Sequence, residues 1–258
     1  MIRFRHGVAT STGRVRSVNE DSYLALPPLY AIADGMGGHG AGDLASALAV
    51  EALTACARLY PLSVDAVLAT LDDANRAIFQ HEAADGMGTT VTGLASLETA
   101  GGDHLMVFNV GDSRVYRVGA DRLDQVTTDH SEVEELVLAG TLTREQARTH
   151  PRRNIVTRAL GSNRALLPDY WLLPAIAGDR YLLCSDGLFS ELPEDRILSL
   201  LAGGDPQYAA AALVAAANDA GGHDNVTVII LDVDVDVDDD QAADETTIPR
   251  EQLPGSHG

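Results

Sequence analysis

Tyr30-Ala31-Ile32-Ala33-Asp34-Gly35-Met36-Gly37-Gly38-His39-Gly40 runs from an apolar segment through an acid into a glycine-rich turn, and the Ala/Leu-rich stretch Asp43–Leu59 follows it. Tyr30–Ala33 reads as a strand and Asp43–Leu59 as an amphipathic helix. Gly35, Gly37 and Gly40 have the Gly-x-Gly-x-x-Gly spacing of a dinucleotide-binding turn, which in that setting opens a parallel βαβ unit. Two features argue against it. Asp34 would set a negative charge against a pyrophosphate, and the helix leads into no strand that ends on an acid, since Glu51 lies inside the helix. An Asp-Gly pair at a strand end suits a hard cation instead: the carboxylate binds and the glycine lets a backbone carbonyl approach. A tight turn explains any single Asp-Gly equally well.

Working outward, Leu105–Val110, Tyr181–Cys184 and Val226–Leu231 are further apolar runs bounded by turn residues, so strands. Segments 91–96, 105–110 and 114–118 follow one another closely, as antiparallel neighbours do. Val64–Glu82, Glu194–Leu201 and Pro206–Ala220 read as helices. Strands, two helices, strands, two helices and a strand make an α+β chain in which helices cover sheets. Glu132–Ala139 and Thr143–Arg148 form a short helical hairpin about Gly140, with Thr143 and Gln146 at capping-box spacing. It is either a flap beside a site or a plain surface excursion.

Composition narrows the chemistry. The 258 residues allow one large domain, alone or with a small appendage. A net charge of −20 opposes binding to nucleic acid and to anionic lipid. All 18 basic residues are Arg, so Schiff-base and Walker A lysine chemistry are excluded. Cys56 and Cys184 lie in apolar surroundings, too few for a disulfide framework or a thiolate zinc site. Neither carries a phosphate-cradling Arg six residues on: Ser190 and Leu62 stand there. No signal peptide or membrane span is legible, and a cytoplasmic location is expected. From Asp232 onward there are nine acids and one Arg. The body is therefore expected to end near 232, with 233–258 an acidic disordered tail in which Thr246 and Thr247 are candidate phosphate acceptors.

Asp34-Gly35, Asp112-Ser113, Asp186-Gly187 and Asp224-Asn225 are read as strand-end acids followed by Gly, Ser or Asn, and Glu20-Asp21 adds a further acidic pair. Asp is costly to bury unpaired, so these acids are surface turns or the ligands of a shared Mg²⁺ or Mn²⁺.

Arg16-x-x-Asn19-Glu20-Asp21-Ser22, Asp34-Gly35-Met36-Gly37-Gly38-His39, Gly88-Thr89-Thr90, Gly111-Asp112-Ser113-Arg114, Ser185-Asp186-Gly187 and Asp224-Asn225-x-Thr227 occur in that order. Together they resemble the PP2C-like (PPM) protein serine/threonine phosphatases, bacterial branch, over roughly residues 6–232. His150-Pro151-Arg152-Arg153-Asn154 and Arg158-Ala159-Leu160-Gly161 resemble that branch's flap, about 130–158. The resemblance implies a four-layer α/β/β/α sandwich of two mainly antiparallel sheets flanked by helices. It implies two Mn²⁺ or Mg²⁺ ions per site and a weaker third. Asp34 would bridge the pair and Gly35 lend its carbonyl. Asp186 and Asp224 would complete the pair, Glu20 and Asp21 hold metal-bound waters, and Asp112 bind the third ion. Arg16 would bind phosphate, for which its planar charged fork is suited.

The implied activity is hydrolysis of phosphoserine and phosphothreonine in proteins by a hydroxide bridging two metals, attacking phosphorus in line. Implied partners are phosphorylated substrates of a serine/threonine kinase, the kinase itself among them, and a monomer is expected. A non-catalytic phosphoprotein-binding module and a partner-switch phosphatase for a small regulatory protein are the alternatives. Three positions depart from the pattern. Ser11 stands where relatives often have Asp. Ser190, followed by Glu191, replaces an acid that assists the third metal. Met36 replaces the histidine proposed as general acid in the eukaryotic branch, leaving His39 as the nearest candidate, unless a metal-bound water protonates the leaving alkoxide.

Overall fold

The computed structural model describes residues 2–37, 41–59, 61–81, 86–99 and 102–235. The chain opens with strands β1 (Ile2–Ser11), β2 (Asp21–Leu26) and β3 (Leu29–Met36), then helices α1 (Ala41–Cys56) and α2 (Val64–Phe79). Five strands follow: β4 (Gly88–Thr89), β5 (Val91–Thr99), β6 (Gly102–Val110), β7 (Arg114–Val118) and β8 (Leu123–Gln125). The short helices α3 (Glu132–Leu138) and α4 (Arg144–Arg148) precede β9 (Asp169–Pro174) and β10 (Arg180–Cys184). Helices α5 (Asp186–Phe189), α6 (Glu194–Leu201) and α7 (Pro206–Ala220) lead to β11 (Val226–Val235). One sheet has the order β1-β11-β10-β7-β8 and the other β2-β3-β5-β6-β9, with β4 paired to β3.

Side-chain alternation along the strands builds three apolar layers. In β3, Leu29, Ala31 and Ala33 face α1 and α2, while Tyr30 and Ile32 turn between the sheets. In β10, Leu182 and Cys184 face α6 and α7, while Tyr181 and Leu183 turn inward. In β11, Val226, Val228 and Ile230 alternate in the same way with Ile229, Leu231 and Val233. Each fully buried aliphatic side chain of this kind contributes about 1.5–3 kcal/mol. The layers are therefore helix, sheet, sheet, helix, as expected.

Local chemistry sets the helix ends. Ser63 caps α2 by accepting from the Ala66 N–H, and Asp205 caps α7 by accepting from Gln207 and Tyr208, with Pro206 in the first turn. Thr143 and Gln146 make a reciprocal capping box on α4, and Gly140 turns the hairpin at φ +72°.

The body does not end at Asp232. β11 continues to Val235, paired with β1 from Ser11↔Val226 to Ile2↔Val235. The start of the Asp-Val alternation, residues 232–235, is strand with Val233 between the sheets, and residues 236–258 lie outside the described residues. Asp232 accepts from Arg5 Nη2 at 3.0 Å and from Arg180 Nε at 2.6 Å. Thr246 and Thr247 lie outside the described residues. Among the described residues, no helix is long and apolar enough to cross a membrane.

Candidate active site

Asp34 lies opposite Asp21 in the β2–β3 ladder. Its N–H donates to Thr90 Oγ1 at 3.1 Å, and its carbonyl accepts from the Thr90 N–H and the Thr89 hydroxyl, both at 2.9 Å. Thr90 Oγ1 and Ser113 Oγ are 2.8 Å apart, which ties this strand end to the Asp112 loop. Gly35 follows at a crossing of three backbones. A Cβ there would stand 2.2 Å from the Gly42 carbonyl oxygen and 2.6 Å from that of Glu20. Both obstacles are main chain, so Gly35→Ala must separate β3 from the start of α1. We expect it to cost about 3 kcal/mol or more, read as a lowered urea midpoint with an unchanged slope.

The second sheet supplies the opposite wall. Asp21 Oδ2 accepts from Ser185 Oγ at 2.9 Å and from Thr227 Oγ1 at 2.7 Å, while Oδ1 is buried without a partner. Those two hydroxyls flank Asp186 and Asp224 in sequence. Asn225 holds the loop that carries Arg16: its amide donates to the carbonyls of Thr12 and Val18, and its Oδ1 accepts from the Glu20 N–H. Arg16 Nη2 donates to Asp224 Oδ2 at 2.7 Å.

Asp112 is 8% exposed. Beside it, Arg114 makes a bidentate pair with Asp129, donates to the Tyr116 hydroxyl and stacks over Phe189 at 3.6 Å. Gly111 is gripped by His130, whose Nδ1 accepts from the Gly111 N–H at 3.1 Å. His130 Nε2 reaches Asp169 Oδ2 at 3.1 Å. Burial lowers the His130 pKa, keeping the imidazole neutral.

Five aspartates thus face one end of the sandwich with little cationic relief. Burial, then the charges of Asp21, Asp186, Asp112 and Asp224, push Asp34 well above the usual carboxylate range. Burial first and neighbouring acids next raise Asp186 to about 6, Asp21 to about 7 and Asp112 to about 8. Asp34 is near enough to Asp186 to temper the rise of Asp186 by side-chain hydrogen bonding, though burial and Asp224 outweigh it. Burial and Asp43 raise Glu20, which lies on the Arg16–Asp224 side.

A divalent cation fits this chemistry. The donors are all hard oxygens, Asp21 Oδ1 is buried without a partner, and the bare cluster is electrostatically costly. As they stand, no three His, Cys, Asp or Glu side chains among the described residues form a ready cage. Like charges without an ion repel, and holding one requires the carboxylates to turn toward a common point.

The model of the protein phosphatase 2C family matches residues 10–218. The chain belongs to the protein phosphatase 2C family. It is 40% identical over 237 residues to the serine/threonine protein phosphatase PstP of Mycobacterium tuberculosis, covering 89% of this chain and 45% of that protein. The chain thus spans about half the length of that curated relative. The serine/threonine phosphatase stp of Listeria innocua is 35% identical, with 86% of this chain and 93% of that protein covered. Among solved structures, the M. tuberculosis PstP/Ppp crystal structure superposes with a TM-score of 0.83 at 36% identity, over 90% of this chain and 99% of that one. The catalytic domain of PstP in complex with two manganese ions gives 0.81 at 36% identity, over the same shares.

Within this protein phosphatase 2C fold, Asp21, Asp34, Asp112, Asp186 and Asp224 share one electrostatic neighbourhood. Arg16 stands at its rim, paired with Asp224 rather than open to a ligand. His39 lies outside the described residues. Glu191 is committed to His223, accepting from its N–H at 2.9 Å and lying 2.7 Å from its Nδ1, and Ser190 is exposed. Ser11 does locally what an aspartate would: its hydroxyl accepts from the Gly13 N–H at 3.1 Å, at a turn where Gly13 has φ +80°. Ser185, Thr227, Asn225, Ser113 and His130 also hold the site together, and the sequence pattern assigned none of them a role. Ser113, Ser185, Asn225 and Thr227 each lie inside one of the ordered motifs, which was the available signal. Nothing local marks His130, whose partners are 19 and 39 residues away in the chain.

Proposed function

We propose that this domain hydrolyses phosphoserine and phosphothreonine monoesters of proteins with two divalent cations, Mn²⁺ or Mg²⁺. The observation that carries this reading is the cluster Asp21, Asp34, Asp112, Asp186 and Asp224, strained by its own charge and relieved only by protons or cations. Asp34, Asp186, Asp224 and the Gly35 carbonyl would hold the pair, Asp21 and Glu20 would act through water, and Asp112 would take a weaker third ion. Bound ions supply Lewis acidity that makes water nucleophilic near neutral pH, suited to in-line displacement at phosphorus.

The chain's own groups define the rest. Ser185 and Thr227 fix one oxygen of Asp21, and the other is buried without a partner. Arg16, half exposed, reorients from Asp224 to phosphate oxygens when substrate arrives. No side chain is needed as a covalent nucleophile: burial raises the Cys184 thiol to about 12, leaving it protonated and inert. The reactants this site suits are phosphorylated products of a serine/threonine kinase.

The test is phosphate release from a phosphothreonine peptide and from p-nitrophenyl phosphate. Turnover of both should appear with Mn²⁺ and vanish with EDTA. A folded protein inactive on both with Mn²⁺ and with Mg²⁺ contradicts the proposal.

A further inference from the structure

His130 is 4% exposed and lies outside the carboxylate cluster, yet both its main chain and its ring hold Gly111, the residue before Asp112. The His130 N–H donates to the Gly111 carbonyl at 2.8 Å, and Nδ1 accepts from the Gly111 N–H at 3.1 Å. Because Nδ1 accepts, the ring proton sits on Nε2 and is donated to Asp169 Oδ2 at 3.1 Å. Arg158 Nη1 donates to the other oxygen, Asp169 Oδ1, at 3.2 Å. Asp169 opens β9 opposite Asn109, whose amide donates to the Gly111 carbonyl at 3.0 Å.

Gly111 has no freedom to find another arrangement. Its φ is +114°, and a Cβ there would stand 2.5 Å from Thr90 Cβ. The main-chain carbonyl of His130 accepts from the Thr157 N–H at 2.8 Å, joining the two ends of the α3–α4 excursion at this residue.

We propose that His130 is a positioning residue for Asp112. Asp169 fixes the imidazole tautomer, and the unprotonated Nδ1 sets the Gly111 amide and thereby the height at which the Asp112 carboxylate enters the cleft. This rests on the proposed role of Asp112 as a cation ligand. It makes His130 the partner of a buried donor that is otherwise unsatisfied.

Two substitutions separate the two ring nitrogens. His130→Asn places an amide oxygen near the Nδ1 position and can still accept from Gly111. His130→Gln reaches toward the Nε2 position, keeping Asp169 and losing the Gly111 acceptor. Amide exchange at Gly111, followed by NMR in EDTA, is expected to stay slow in wild type and His130→Asn and to quicken about tenfold or more in His130→Gln. Calorimetric Mn²⁺ titration should show the weakest site loosened about tenfold in His130→Gln and within about twofold of wild type in His130→Asn. Equal Gly111 exchange in all three proteins overturns the proposal. So does faster exchange in His130→Gln with no change in the weakest Mn²⁺ affinity. Wild-type protein that binds no Mn²⁺ contradicts the proposed function instead, and the exchange comparison still decides whether His130 holds Gly111.

Discussion

Asp34→Asn is expected to lower Mn²⁺-dependent turnover of p-nitrophenyl phosphate by roughly a thousandfold, about 4 kcal/mol of lost transition-state stabilisation. The same change should raise the melting temperature of the metal-free protein. The two effects have one cause. Asn keeps the shape and the main-chain bonds to Thr89 and Thr90 but removes the charge that Asp21, Asp186, Asp112 and Asp224 all oppose. In the proposed site that charge is a liability without cations and would be the source of affinity with them. Melting curves in EDTA and initial rates in Mn²⁺, taken on one preparation, check the pair. A variant that melts lower and is inactive has merely misfolded. One with near-normal turnover shows that Asp34 is not in the machinery.

Stability should depend on pH in opposite ways with and without divalent cation. Asp186, Asp21 and Asp112 have folded-state pKa values raised to about 6, 7 and 8, above an unfolded value of about 3.9. The native state therefore binds more protons than the unfolded chain between those limits. Its stability is fully present below about pH 4 and is lost as pH climbs through about 6 to 8. In EDTA the melting temperature should fall steadily from about pH 5 to about pH 8. A divalent cation replaces the departing protons, so its stabilisation should grow over that interval, reaching about 10 °C near pH 8 at saturating Mn²⁺. Scanning fluorimetry across pH, with EDTA or Mn²⁺, measures both slopes. A metal-free protein that gains stability as pH rises would show that these aspartates are not strained in the fold.

Much of the architecture was legible because burial writes a period into the chain. Leu182-Leu183-Cys184 and Val228-Ile229-Ile230 read as continuous apolar runs because both faces of those strands are covered. The edge strands were harder. β1 interleaves Arg3 and Arg5 with Phe4, since one face of an edge strand meets water, and its register is set by β11 across more than 200 residues of chain. The tail boundary was misplaced for a related reason: Asp232 is an acid within a strand, and its partners Arg5 and Arg180 are remote in sequence.

Asp34, Asp112, Asp186 and Asp224 were legible as acids followed by Gly, Ser or Asn, and Asp21 as part of the Glu20-Asp21 pair. What holds them was not, because the Ser185–Asp21–Thr227 bonds and the Asn225 clamp on the Arg16 loop join opposite ends of the chain. The Arg16–Asp224 pair is equally invisible to spacing. It also shows how an acidic cleft uses the nearest fixed cation.

The most direct test of the carboxylate cluster as a divalent-metal site is calorimetric titration of EDTA-stripped protein with Mn²⁺, alongside Asp186→Ala. Two tight sites per chain are expected in the wild type, with phosphatase activity appearing as they fill and at least one site lost in Asp186→Ala. Absence of binding in the wild type, or phosphatase activity that survives stripping, contradicts the account.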